Sequence, residues 1–220
     1  MSAVAILPVK SFEHAKQRLA EELTASARRA LVEAMYSDVL VALRRASAVS
    51  GTVVITADRH AQRIAGGHGA QVLDEPEHGH NPAAATGIRV AREQGVHRAL
   101  LVPGDCPMLD PAELDALISR PAGDGSALIV PDRHGTGTNA LLLTPPDALI
   151  PSFGPGSAQR HVAEAGRNGT TAEVVAVPSL ALDVDTPEDL AELQATLERT
   201  HGRAAQTRGM LRQLFRSRNQ

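Results

Sequence analysis

Tryptophan is absent from this 220-residue sequence, and aromatic residues make up only 2% of it. A core cannot then rest on large rings and has to be assembled from Ala, Val, Leu and Ile. Cysteine occurs once, at Cys106, which excludes an intrachain disulfide and fits a cytoplasmic location. The net charge of −3 supplies no general attraction for nucleic acid or an anionic membrane. No apolar run approaches the roughly 20 residues of a membrane span. Met1 to Val9 has neither the basic start nor the long apolar centre of a secretory signal. Two nucleotide signatures are also missing. The G-T-G-T of Gly135–Thr138 lacks a following Gly-Lys-Ser/Thr, so it is no P-loop, and no G-x-G-x-x-G follows the first strand. No internal repeat or long low-complexity linker occurs. After Glu198 there is no acidic residue, while Arg199, Arg203, Arg208, Arg212, Arg216 and Arg218 accumulate.

What is present reads as alternating strands and helices. The length suits one α/β domain or at most two small ones, enough to bury roughly 70% of the unfolded chain's surface. Ala99 to Val102 is a short apolar run, as expected of a strand buried on both faces of a parallel sheet. Pro103 and Gly104 stop it, and Asp105 follows. A carboxylate just past the carboxyl end of a central strand sits where open α/β sheets bind ligands, although an Asp there also serves as an ordinary turn cap. A second acidic stretch, Asp183-Val184-Asp185, is expected at the end of a closing strand at 180–184. Two strand ends bearing carboxylates suit Mg²⁺, which takes oxygen ligands and commonly uses one or two carboxylates plus substrate phosphates.

Other candidates come in chain order. Ala3 to Val9 is a strand leading into Lys10, Lys16 and Arg18, three cations placed to face an anionic ligand, or simply a solvated basic loop. Leu31, Met35, Val39 and Leu43 repeat at helical spacing. Strands are expected at 52–56, 71–74, 126–130, 140–143 and 173–177, with 126–143 an antiparallel hairpin. Asn81 is expected as the N-cap of a helix with Pro82 at its first position. The pair His78 and His80 has no nearby third ligand and suits an exposed turn better than a metal. Asp110, Pro111 and Glu113 start another helix. Ser157 is expected to cap a helix whose N–H groups and dipole would attract an anion, with Arg160 adding a bidentate fork. The fold class expected is α/β: one Rossmann-like domain over 1–198, a mostly parallel sheet with an antiparallel strand, and helices on both faces. The basic tail 199–220 is expected to fray. Its weak stripe of Met210, Leu211, Leu214 and Phe215 leaves docking on a partner, or a homodimer, as the alternative.

Several pieces together resemble one family: P-V-K with A-K-x-R-L (Pro8–Lys10, Ala15–Leu19), G-D-C-P, D-R-x-G-T-G-T-N, F-G-P-G-S-x-x-R-H and D-V-D-T-P-E-D-L. The chain is similar, over about Ala3–Leu193, to the guanylyltransferases that make the phospholactyl or phosphoenolpyruvyl guanosine diphosphate precursor of deazaflavin coenzyme F-420. These belong to the GT-A-like nucleotidyltransferase superfamily. G-D-C-P and D-V-D-T-P mark only the superfamily, whereas D-R-x-G-T-G-T and F-G-P-G-S are specific to the family.

The resemblance implies GTP and a phosphorylated three-carbon acid as substrates and Mg²⁺ as cofactor. It implies coupling to the next enzyme, which consumes an unstable product. It places the metal on Asp105, Asp183 and Asp185. The acid falls on Thr138, Gly154 and Ser157, with Arg160 nearby, and the triphosphate on Lys10, Lys16 and Arg18. These cations are also the expected catalytic groups; Asn81, by its helix-start position and not by the resemblance, is the candidate for the edge of guanine. Phosphoenolpyruvate is the expected acceptor, with 2-phospho-L-lactate or 3-phosphoglycerate as alternatives. A nucleotidyltransferase for a sugar phosphate or molybdopterin, and a non-catalytic nucleotide-binding regulator, are the rival readings.

Overall fold

Alternation along the strands builds the molecule. In the computed structural model, which describes residues 1–75 and 79–216, β1 (Ala3–Pro8) sends Ala3, Ala5 and Leu7 to one side and Val4 and Ile6 to the other. The same division separates Leu100 from Leu101 in β4 (Ala99–Leu101), and Leu142 from Leu141 and Leu143 in β6 (Thr138–Thr144). A strand buried on both faces needs helices on both faces, and two hydrophobic cores result. The sheet has seven strands in the order β3-β2-β1-β4-β6-β5-β7, with β2 (Val49–Ile55), β3 (Gln71–Leu73), β5 (Ser126–Pro131) and β7 (Thr171–Val174). Only β6 runs against its neighbours, pairing antiparallel with β4 and β5. The α/β expectation with one antiparallel strand therefore holds.

The helices are α1 (Ala25–Arg45), α2 (Arg59–Gly67), α3 (His80–Glu93), α4 (Pro111–Ile118), α5 (Ser157–Asn168), α6 (Pro187–Arg199) and α7 (Ala205–Arg216). Leu31, Met35, Val39 and Leu43 of α1 are buried, as their four-residue spacing requires. Thr24 and Asp110 cap α1 and α4 through their side chains, and α6 opens on a capping box of Thr186 and Asp189, which fixes the chain directly after Asp185. On the other face α3 lies close to the sheet at Gly87. A β-carbon there would collide with Ile6 and stand 2.9 Å from Ile55.

Two expectations fail. Residues 180–184 are not a strand. A short 3-10 turn at Pro178–Leu180 ends there, and Val184 instead donates its N–H to the carbonyl of Asp105 at 3.3 Å. The tail does not fray over 205–216. Asp38, buried in the middle of α1, accepts from the N–H groups of Gln206 (3.1 Å) and Thr207 (2.8 Å) and from the Thr207 hydroxyl (2.7 Å). The apolar stripe lands on the same helix, with Leu211 buried and Leu214 and Phe215 packed against the core. A carboxylate capping a helix start satisfies donors that the helix cannot. Arg218 lies outside the described residues.

Removing 200–220 should take from Asp38 the donors that hold it and expose the apolar side of α1 to water. We expect a loss of at least about 2 kcal/mol in chemical denaturation. An unchanged denaturation midpoint would show that α7 contributes nothing to the fold.

Candidate active site

The parallel strands β1, β2, β3 and β4 deliver their carboxyl ends to one edge, and a cleft of about 540 Å³ opens there. Its walls include Lys10, Lys16, Tyr36, Glu75, Asp105 and Asp185. At its centre the Lys16 ammonium bridges two loops far apart in sequence. It pairs with Asp105 Oδ2 and lies 2.7 Å from Asp185 Oδ1. The Lys16 side chain is only 7% exposed. Burial works against its charge, but Asp105 and Asp185 outweigh burial and hold the ammonium above its ordinary range. Lys16 is also one of two non-glycine residues with positive φ among those described, at 55°. Left-handed backbone on a long side chain is uncommon and costs energy. Here it turns the basic loop inward.

Asp183 completes the acidic group. Burial and the neighbouring Asp105 raise its carboxyl pKa, against a 3.2 Å hydrogen bond from Asn139 Nδ2. Among the described residues no three acids or histidines form a ready-made metal cage. Asp105 Oδ1, however, is buried without a hydrogen-bond partner. A hard divalent cation that uses one or two carboxylates and completes its shell with water and phosphate fits this donor set. Cys106 adjoins the site, and its thiol is fully buried with its pKa pushed well up by burial and the nearby acids, which suits a small core filler rather than a nucleophile.

A second constellation lies where β6 meets α5. The Ser152 N–H donates to His161 Nε2 at 2.9 Å. That nitrogen therefore carries no proton, and the neutral ring's proton sits on Nδ1, which donates to Thr138 Oγ1 at 3.0 Å. Ser157 Oγ donates to the same Thr138 oxygen, also at 3.0 Å. With both lone pairs occupied, the Thr138 hydroxyl keeps its own proton for another acceptor. The next residue, Asn139, binds Asp183 from the other face of the strand, so β6 links the two constellations.

The family model and the sequence relatives point to one family. The family model described as "Guanylyl transferase CofC like" matches residues 3–218. The chain belongs to this CofC-like guanylyl transferase family. It is 55% identical over 219 residues to a phosphoenolpyruvate guanylyltransferase from Conexibacter woesei, covering 99% of this chain and 98% of the relative. It is 37% identical over 195 residues to a 3-phospho-D-glycerate guanylyltransferase from Phenylobacterium zucineum, covering 87% of this chain and 89% of that one. Among solved structures, a nucleotidyl transferase from Methanothermobacter thermautotroptrophicus shares the fold with a TM-score of 0.64 at 17% identity, covering 91% of this chain and 99% of that chain.

In this CofC-like chain several anticipated groups have other partners. Asn81 is not an N-cap; Gly79 holds that place. Both Asn81 amide atoms pair with the Phe153 backbone, at 2.7 and 3.2 Å, so Asn81 ties α3 to the loop before α5. Ser157 does not cap α5 either. Gly156, at φ 70°, precedes the helix, and Ser157 is fully buried. The Ser157 and Ala158 N–H groups are already bound by Gly154 and Thr136 carbonyls, which removes two of the helix-end donors expected for an anion. Arg160 spends its fork on the carbonyls of Pro155 and, at 2.7 Å, Ser152. Lys10 lines the cleft but Arg18, exposed on its turn, does not. His78 lies outside the described residues. His80 packs edge-on against Phe153, and burial and Lys10 lower its pKa.

Three supporting residues escaped the sequence reading. Asp132 accepts from the N–H groups of His134, Thr136 and Gly137 and shapes the Gly/Thr-rich turn. Arg133 reaches Asp189 at 2.6 Å and ties that turn to the acidic loop. His161 holds Thr138; its only sequence signal is its place in F-G-P-G-S-x-x-R-H.

Burial, aided by the Arg160 charge, lowers the His161 pKa to about 4. The unfolded chain then takes up this proton near pH 6.5 and the folded chain only near 4. Stability from the neutral ring should be complete above about pH 6.5 and fall as pH drops towards 4. Denaturation midpoints at pH 7, 5.5 and 4.5 should show a shallower pH dependence in His161→Asn than in the parent. Equal slopes would mean that the neutral ring is not what the fold requires.

Proposed function

We propose that the chain transfers GMP from GTP to the phosphate of phosphoenolpyruvate, releasing diphosphate, in the biosynthesis of deazaflavin coenzyme F-420. The observation that carries this reading is the buried Lys16 ammonium held between Asp105 and Asp185 at the carboxyl edge of the sheet, in a chain of the guanylyl transferase family. The acceptor is supported by the 55% identical relative, a phosphoenolpyruvate guanylyltransferase. The relative named for 3-phospho-D-glycerate keeps that acid as the second reading.

An oxygen of the acceptor phosphate attacks the α-phosphorus of GTP in line. A new P–O bond forms as the bond to the β-phosphate oxygen breaks, and that oxygen leaves with the electron pair as diphosphate. The acceptor phosphate is already an anion, so the difficulty is to bring two anions together and to stabilise charge on the leaving group. Asp105, Asp183 and Asp185 would hold Mg²⁺, which when bound supplies charge neutralisation and orientation of the phosphates. Lys16 is positioned to steady the charge passing to diphosphate, with Lys10 further out on the cleft wall. Thr138, oriented by His161 and Ser157, presents its hydroxyl proton to the acid, and the Gly154–Gly156 loop offers backbone beside it.

Diphosphate release from GTP should appear with phosphoenolpyruvate and be weaker with 2-phospho-L-lactate or 3-phosphoglycerate. Phosphoenolpyruvate and 2-phospho-L-lactate differ only at an apolar centre, where a pocket discriminates by about 10–200-fold, so preference rather than exclusion is expected between these two. Asp105→Asn should abolish release at saturating Mg²⁺ with the fold intact by circular dichroism. Release that is strongest with 3-phosphoglycerate would favour the second reading. Turnover near that of the parent in Asp105→Asn would remove Asp105 from the chemistry.

A further inference from the structure

Among the described residues, three buried polar atoms on the cleft lining have no hydrogen-bond partner: Asp105 Oδ1, Tyr36 Oη and Glu75 Oε2. The first belongs to the acidic group. Tyr36 lies beneath the same end, since its ring stands 3.2 Å from where a side chain on Gly104 would begin. Glu75 is elsewhere. It follows β3, the edge strand, while Asp105 follows β4, three strand spacings away across the sheet, or roughly 14 Å.

The two ends of the cleft therefore differ in chemistry. Lysine and clustered carboxylates occupy the β4 end. Among the described lining residues the carboxylate at the β3 end is Glu75, and Pro8, Ile55, Ala57 and Ala83 form apolar wall between the two ends. The phosphates belong with Lys16 and with the Mg²⁺ that the clustered acids would hold, and a carboxylate without a cation beside it would repel them. A nucleotide laid across the strand ends, with its phosphates at Lys16, sends its base towards Glu75. A buried acceptor without a donor is costly, so the base that suits this place is one that brings donors.

Guanine is distinctive here. Its N1–H and N2–H₂ are adjacent donors on one edge, and an ionised carboxylate is acceptor-only with two oxygens. Adenine and cytosine offer a ring-nitrogen acceptor beside their amino group. Uracil offers one N–H flanked by carbonyls. Each would set a lone pair against Glu75. We propose that Glu75 is the residue that selects guanine, pairing its carboxylate with N1–H and N2–H₂. The inference rests on the GTP reading above and gives it a physical basis for choice of base.

The test is equilibrium binding of GTP, inosine triphosphate and ATP to the full chain and to Glu75→Gln. Inosine triphosphate lacks only the N2 amino group. Replacing the carboxylate by an amide should weaken GTP by about 10–100-fold, the range for hydrogen bonds to a charged group. It should weaken inosine triphosphate less and spare ATP, so that preference for GTP shrinks. Glu75→Asp, which keeps the charge on a shorter stem, should fall between and serves if the amide variant does not fold. Equal weakening of all three nucleotides, as a ribose contact would give, or an unchanged GTP-to-ATP ratio, would overturn the proposal. Acceptor-dependent diphosphate release separates this failure from failure of the proposed reaction. A parent that turns over GTP beside a Glu75→Gln of unchanged preference refutes only the base contact. A parent that binds GTP selectively through Glu75 yet releases no diphosphate with any acid refutes only the reaction.

Discussion

Everything at the sheet's carboxyl edge depends on one ion-pair arrangement, the Lys16 ammonium between Asp105 and Asp185. A buried cation is tolerated only if its lost hydration is replaced by well-placed opposite charge. Two carboxylates supply it, and they arrive from separate parts of the chain, one after β4 and one before α6. Converging carboxylates would repel one another without a cation. The pairing therefore draws together three segments whose own secondary structure does not require them to meet. The price is a left-handed backbone at Lys16.

The rest of the fold fixes the frame around this arrangement. The capping box at Thr186 and Asp189 pins the chain immediately after Asp185. Arg133 holds Asp189 and so connects the Gly/Thr-rich turn to the same corner. Strand β6 runs antiparallel, and its first two residues serve different neighbours: Thr138 faces α5, where Ser157 and His161 orient it, and Asn139 faces Asp183. The alternation that divides the hydrophobic residues between two cores thus also divides the polar ones between the α5 side and the acidic group. A neutral His161 is part of that division, because a proton on Nε2 would face the Ser152 N–H.

Most of the frame was legible in the sequence because it rests on local rules. Apolar runs bounded by Pro and Gly gave the strands, and Asp110 with Pro111 gave a helix start. The G-D step located Asp105. Long-range partners were less visible. Asn81 precedes a proline as an N-cap commonly does, yet the Phe153 backbone, 72 residues away, takes both of its amide atoms. Ser157 and Arg160 read as an anion site, and what the sequence did not show is that Gly156 takes the cap position while Thr138 and loop carbonyls are their partners. The 180–184 segment has strand composition, but no neighbouring strand pairs with it, because the parallel ladder beyond β5 is filled by β7. The basic tail looked unable to fold alone. Asp38, an acid in the middle of an apolar helix face, was the unread sign that something docks there.

Substituting Lys16 by methionine tests the central claim most directly, because methionine keeps much of the side-chain length and removes the charge. If the ammonium both balances the acidic group and steadies the departing diphosphate, acceptor-dependent diphosphate release should fall by about 10²–10³-fold, the usual scale for losing one preorganised charge or donor. Circular dichroism should confirm that the variant remains folded. A Lys16→Met protein with kcat/KM for GTP close to that of the parent would contradict the account.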